Sequence, residues 1–223
     1  MKTQNNKALL LSLLMVLVTI VISCREDDSA WFPVTGKGEI LKQERVISSF
    51  TKVKSRIGGN VFIRKANSQQ IFLSAQENLL PLLETEVVNG TLFISFGSHV
   101  IKSDSTISVY ISSPEITGMT LTGSGSMTTD FGIPSVSLEG FGTIKCSGTT
   151  DQVSAKISGS GMVDLAEMAV KRADIDIPGN GNVSLHVTES LNVTIPGMGT
   201  VYYQGKPVIE ENIRGVGQVI ERN

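Results

Sequence analysis

Cysteine and histidine are scarce, two of each among 223 residues and all far apart in the chain. That excludes a disulfide framework, a His/Cys zinc site and Cys/His catalysis, and no cofactor or metal is implied. Charge of one sign is also missing, since 19 Lys and Arg stand against 21 Asp and Glu. A protein that grips nucleic acid by neutralising phosphates needs a basic excess, so nucleic acid is not an expected partner. Aromatic residues make up 5% of the chain and charged ones 18%. Glycine stands at 22 residues and Val, Ile, Ser and Thr are plentiful. This composition builds short strands with tight turns, not long helices.

Lys2 and Lys7 precede an apolar run from Ala8 to Ile22, about 15 residues, which is shorter than the roughly 20 that span a bilayer. Residues 1–23 therefore read as an export signal. The run ends Val21-Ile22-Ser23-Cys24, which resembles a bacterial lipobox: a branched apolar residue, a small residue, then the cysteine that becomes acylated. Cys24 is the expected lipid anchor and the membrane the expected partner through it. Without Lys2 and Lys7 the exported chain carries about −4. Arg25, Glu26, Asp27 and Asp28 look like the signal that sends Bacteroidetes lipoproteins to the outer face of the outer membrane; a tether that merely solvates the linker is the alternative. Residues 24–35, with Trp31, Phe32 and Pro33, read as lipidated cysteine and linker, and residues 36–223 as one domain.

The strongest signal is a repeat. Six segments follow (Leu/Ile)-x-Gly-x-Gly-x-(Val/Ile/Met): Leu121–Met127, Leu138–Ile144, Ile157–Val163, Ile177–Val183, Ile195–Val201 and Ile213–Val219. Their first glycines, Gly123, Gly140, Gly159, Gly179, Gly197 and Gly215, lie 17, 19, 20, 18 and 18 residues apart. With no helical stretch between motifs, each repeat reads as one coil of a β-solenoid whose apolar face is buried only when coils stack. The fold class is all-β, a solenoid of about 18-residue coils.

Alternation places the apolar residue, both glycines and the closing Val, Ile or Met on the inner face. Paired inner glycines have two explanations: no room for a side chain, or a turn with positive φ. Pro178 and Pro196 precede two of the pairs, and proline cannot donate to a strand ladder, which favours the turn. A dinucleotide site needs GxGxxG between strand and helix, and no helix follows here. Calcium-binding β-rolls need an aspartate where this chain has Met127, Ile144, Val163, Val183, Val201 and Val219.

Residues 36–117 lack the motif but alternate in Val61-Phe62-Ile63, Ile71-Phe72-Leu73, Thr91–Ile94 and Ile107–Ile111. Asn89-Gly90 predicts a hairpin turn, and the Leu-rich stretch from Asn78 to Glu84 around Pro81 one helical turn. No linker separates the halves. Phe50–Val53, Gly59–Ile63, Glu77–Val87 and Asn89–Ile94, followed by the GxG series, resemble the head GIN domain family, an autotransporter-adhesin-like group common among exported Bacteroidetes proteins. The resemblance covers residues 38–220 and implies a β-solenoid and an adhesin role, with no catalytic residues to carry over. Gly58-Gly59-Asn60 departs from it where the family often has Asp before the strand.

An enzyme remains the alternative, because β-helix enzymes that cleave acidic polysaccharides use Asp, Lys and Arg on an outer strand face. Asp164, Lys171, Arg172, Asp174 and Asp176 are its candidates. A solvated outer face is the simpler reading of the same residues. His99 and His186 have no acid and nucleophile beside them in sequence for a triad, and Cys146 reads as a buried thiol.

The expected reading is a lipid-anchored, non-catalytic surface module. The residue between each glycine pair points outward, giving Ser124, Phe141, Ser160, Asn180, Met198 and Val216, with Met162 in the neighbouring column. Phe141, Met162, Met198 and Val216, together with Tyr202 and Tyr203, are the candidate binding residues, for a surface glycan, a protein or a second copy of the chain.

Overall fold

Apolar residues at alternate positions recur from Val53 to Val201, and each run forms a strand with one buried and one outward face. The computed structural model describes residues 32–222; Cys24, the export signal, the acidic cluster at 25–28 and Trp31 lie outside the described residues. The first strands are β1 (Val34–Thr35), β2 (Ile40–Arg45), β3 (Lys52–Ser55), β4 (Asn60–Lys65), β5 (Gln70–Gln76), β6 (Glu84–Val88), β7 (Thr91–Ser95), β8 (Ile101–Lys102) and β9 (Ser108–Ser113). The motif-bearing half supplies β10 (Gly118–Leu121), β11 (Ser126–Thr129), β12 (Ser135–Leu138), β13 (Phe141–Ile157), β14 (Ser160–Asp176), β15 (Asn180–Ile195), β16 (Met198–Gln204), β17 (Val208–Ile213) and β18 (Val216–Glu221). Among the described residues the only helical element is the 3₁₀ turn Leu80–Leu82, within the stretch expected to turn.

The strands stack as a β-solenoid. Before each corner the chain passes through one column of parallel strands: β7, β3, β10, β12, the ends of β13 to β15, and β17. After it, the chain passes through a second: β9, β4, β11, the starts of β13 to β15, then β16 and β18. Both halves share one 16-stranded sheet. The coil β7–β9 lies next to β3–β4 in space although it follows later in sequence, so β3–β4 is sandwiched between β7–β9 and β10–β11. Antiparallel strands close this end: β6 pairs with β7, and β5 and β2 extend the sheet beyond β9. β1 and β8 form a separate pair. At the hairpin, Asn89 (φ 49°) and Gly90 (φ 71°) both take positive φ, as a type I′ turn requires.

The core is the inside of this stack. Leu121, Leu138, Ile157, Ile177 and Ile195 line it before the corners and Met127, Ile144, Val163, Val183 and Val201 after them, all 0% exposed. Burying each contributes about 1.5–3 kcal/mol.

The corner glycines do form columns, but for the reason the sequence reading ranked second. Of the twelve motif glycines only Gly161 has positive φ. The others are required by close approach. A Cβ on Gly140, Gly159, Gly179, Gly197 or Gly215 would lie 1.9–2.2 Å from the carbonyl oxygen of the glycine one coil back. The cause is the ladder running unbroken round the corner: Phe141 N–H donates to Gly123 O, Ser160 to Gly140, Asn180 to Gly159, Met198 to Gly179 and Val216 to Gly197. Each glycine carbonyl therefore points at the next coil. The prolines fit for a related reason. At Glu139-Gly140, Ser158-Gly159 and Arg214-Gly215 two successive N–H groups share one carbonyl. At Pro178-Gly179 and Pro196-Gly197 the glycine N–H alone serves it, so the proline removes only a duplicate donor.

Candidate functional site

The residue between each glycine pair faces solvent. Phe141 is 69% exposed, Met198 50%, Val216 73% and Met162, in the adjoining column, 43%. Register sets their neighbours. Met198 lies directly against Val216. Phe141 lies against Ser160, with Met162 two residues further along that strand, while Asn180 and Asn182 separate this pair from Met198. The apolar surface is thus two small patches along one corner, not one continuous strip.

Tyr202 and Tyr203 divide as alternation requires. Tyr203 packs against the core. Tyr202 turns outward, its ring 3.6 Å from the Arg222 guanidinium carbon, a cation–π contact. Together with Met162, Asp164, Asn182, Ser184 and Gln204 they line an open groove of about 480 Å³. Arg222 is not among the candidate binding residues, although the stacking of the sixth motif on the fifth carries the final strand past Tyr202; the pairing Tyr202–Ile220 brings it there.

The outer acids and bases are spent on one another. Asp176 pairs with Lys156 at 2.9 Å, Lys171 with Asp151 at 2.8 Å and Arg172 with Glu189 at 3.0 Å. Asp174 accepts from Asn192 at 2.8 Å. Asp164 lies 4.0 Å from Lys145, which Glu167 holds at 2.6 Å, and that contact raises the lysine's pKa. Lys171 likewise titrates above its ordinary value and Asp151 below, each through the hydrogen bond and charge of the other. These are rungs between neighbouring coils. Cys146 is buried and free; burial, with help from the Asp164 charge, pushes its thiol up to about 12. His99 Nδ1 donates to the Phe96 carbonyl at 3.0 Å, and His186 lies half-buried on β15 beside Ala169.

A second aromatic column went unread. Phe72, Tyr110 and Phe62 sit in register on β5, β9 and β4, facing outward. Phe62 and Tyr110 stack at 5.3 Å. Lys42 Nζ lies 4.5 Å from the centre of Phe72 and 5.4 Å from that of Tyr110. The signal was present: Val61-Phe62-Ile63, Ile71-Phe72-Leu73 and Val109-Tyr110-Ile111 each place an aromatic between two aliphatics. Since the aliphatics fill the core, the aromatics must face out.

A protein-family model described as "putative auto-transporter adhesin, head GIN domain" matches residues 49–139 and 134–207. A solved "putative adhesin" from Bacteroides fragilis is similar in fold, with 19% identity, 85% of this chain and 100% of that one covered, and a TM-score of 0.62. A "putative lipid binding protein" from Parabacteroides distasonis shares 18% identity over 86% of this chain and 100% of its own, with a TM-score of 0.51. A "putative adhesin" from Parabacteroides merdae gives 18%, 85%, 99% and 0.50. No curated protein matches the sequence.

Proposed function

Because the chain belongs to the head GIN domain family, we propose that it is a lipid-anchored, non-catalytic binding module of the outer cell envelope, with an adhesin's role. The observation that carries this reading is the outer corner. Phe141, Met198 and Val216 stand in one column and face water although nothing in the core needs them. Met198 lies directly against Val216, and adjoining exposed apolar side chains offer contact area to a partner. The family's description as an adhesin and the lipobox at Cys24 both agree with display at the cell surface. The partner is a surface glycan, a protein or a second copy of this chain. Two or more acyl chains on Cys24 give firm attachment, because each buried CH₂ contributes about 0.8 kcal/mol.

The test pairs two variants in the native host. Phe141→Ser with Met198→Ser should reduce adhesion or self-association at least several-fold with an unchanged melting curve; unchanged association overturns the use of this corner. Cys24→Ala should leave the protein unacylated and washed from membranes, and full retention overturns the anchor.

A further inference from the structure

One corner of the stack breaks the pattern. Between β10 and β11 the chain spends four residues, 122–125, whereas between β7 and β9 it spends twelve, 96–107. In the adjoining coil Ile57 and Gly59 take the two inner corner positions: a Cβ on Gly123 would lie 2.3 Å from Ile57 O, and one on Gly125 at the Gly59 carbonyl. Gly58 therefore occupies the outward position that Ser124, Phe141, Met198 and Val216 hold in later coils. With no side chain there and a detour beside it, a cavity of about 360 Å³ opens, within the size range of small-molecule sites.

Its lining is selective. Arg56 and His99 are the only ionisable residues around it, with Ser95, Ser103, Ser105 and Ser124 as hydroxyls over a floor that includes Ile57 and Ile107. Among the described residues no ion pair or side-chain hydrogen bond engages the Arg56 guanidinium, and none engages the Ser105 or Ser124 hydroxyl. His99 donates through Nδ1 to Phe96 O, which leaves Nε2 as the ring nitrogen without that partner. The nearest acids stay outside. Glu84 accepts from Ser95 at 3.4 Å and flanks Gly97. Asp104 lines an adjoining depression that shares Gly58, Ser103, Ser105 and Ser124.

We propose that this cavity binds an acidic sugar unit of an anionic glycan, its carboxylate on Arg56 and its ring hydroxyls on Ser105, Ser124 and His99. The complementarity is that of one unpaired guanidinium in a pocket without a carboxylate; the several hydroxyls beside it match the hydroxyls of a sugar better than a bare oxyanion. The assignment rests on the binding-module reading and names its ligand class, but apart from Ser124, the first member of the outward column, it uses residues outside the Phe141–Val216 corner.

The test is calorimetric titration of the acylated full chain in detergent with trigalacturonate, its methyl ester and inorganic phosphate. Trigalacturonate should bind, more weakly as salt rises. Arg56→Ala should lose at least tenfold. Gly58→Leu, which keeps the charge but fills the space toward Ser124, should lose as much; it stands in should Arg56→Ala fail to fold. No binding of trigalacturonate, equal binding of the methyl ester, or affinity unchanged in both variants overturns the site. Phosphate binding as tight as trigalacturonate overturns the sugar. Loss of adhesion in Phe141→Ser with Met198→Ser while trigalacturonate still binds supports both readings; adhesion without trigalacturonate binding overturns this one alone.

Discussion

Residues 118–221 and residues 34–113 build the same two strand columns by different means. The first region repeats one solution: an apolar residue, two glycines and another apolar residue carry the ladder round a corner so tight that a carbonyl occupies the place of each Cβ. The second region closes the stack with antiparallel strands, inserts a coil out of sequence order and lets one corner swell to twelve residues. Repetition yields a rigid wall with side chains displayed at one-coil spacing. Its interruption adds a cavity beside Gly58, in keeping with the tendency of long loops to carry function.

The largest effect should come from exchanging corner chemistry between the two regions. Gly179→Val places a Cβ 2.2 Å from Gly159 O, with Ser158 backbone atoms at 2.6 Å. The Ser158-Gly159 backbone cannot yield without breaking the ladder, so a loss of about 3 kcal/mol or more is expected. Gly58→Ala meets only the Ser124 hydroxyl, at 3.2 Å, and should stay within about 0.5 kcal/mol of the parent. Urea unfolding midpoints measure both. Equal costs would show that the two corners are packed alike.

The same contrast separates what the chain discloses from what it hides. The GxG period made the coils, their stacking and the buried Leu, Ile and Val columns readable, because every repeat restates the same constraint. Choosing between close approach and positive φ was not possible locally: the atom that excludes a Cβ at Gly179 belongs to Gly159, twenty residues away. Alternation assigned Phe62, Phe72 and Tyr110 to the outer face in principle, but only the pairing of β5 with β9 and β9 with β4 makes them one column. The cavity beside Gly58 depends on the out-of-order coil, for which no local pattern exists.

Next in size is a pH effect confined to the regular region. Cys146 is held as a thiol with its pKa pushed to about 12, whereas in the unfolded chain it ionises near 8.5. The folded value is the higher one, so this contribution is complete below about pH 8.5 and is lost progressively as pH rises toward 12. The loss reaches about 2 kcal/mol near pH 10. Cys146→Ala should flatten the alkaline fall of stability, and a thiol reagent should modify the parent only as fast as it unfolds. Gly90→Ala probes the irregular region. Nothing lies within 4 Å of its Cβ position, but its φ is +71°, so about 1 kcal/mol of backbone strain is expected, read from the same urea midpoints.

The smallest effect belongs to the rungs between coils. Asp151 titrates below the ordinary aspartate range because Lys171 donates to it and carries the opposite charge. A carboxyl with a lowered folded pKa stabilises above its unfolded value, about 3.9, and that contribution disappears as pH falls through the folded one. The pair is exposed to solvent, so screening limits it. Asp151→Asn should therefore melt slightly below the parent at pH 7 in low salt, and the two curves should converge both on acidification and near 1 M salt. A difference that survives either treatment would mean that Asp151 acts through packing rather than charge. The outer rungs would then hold the regular coils together more firmly than exposed ion pairs can.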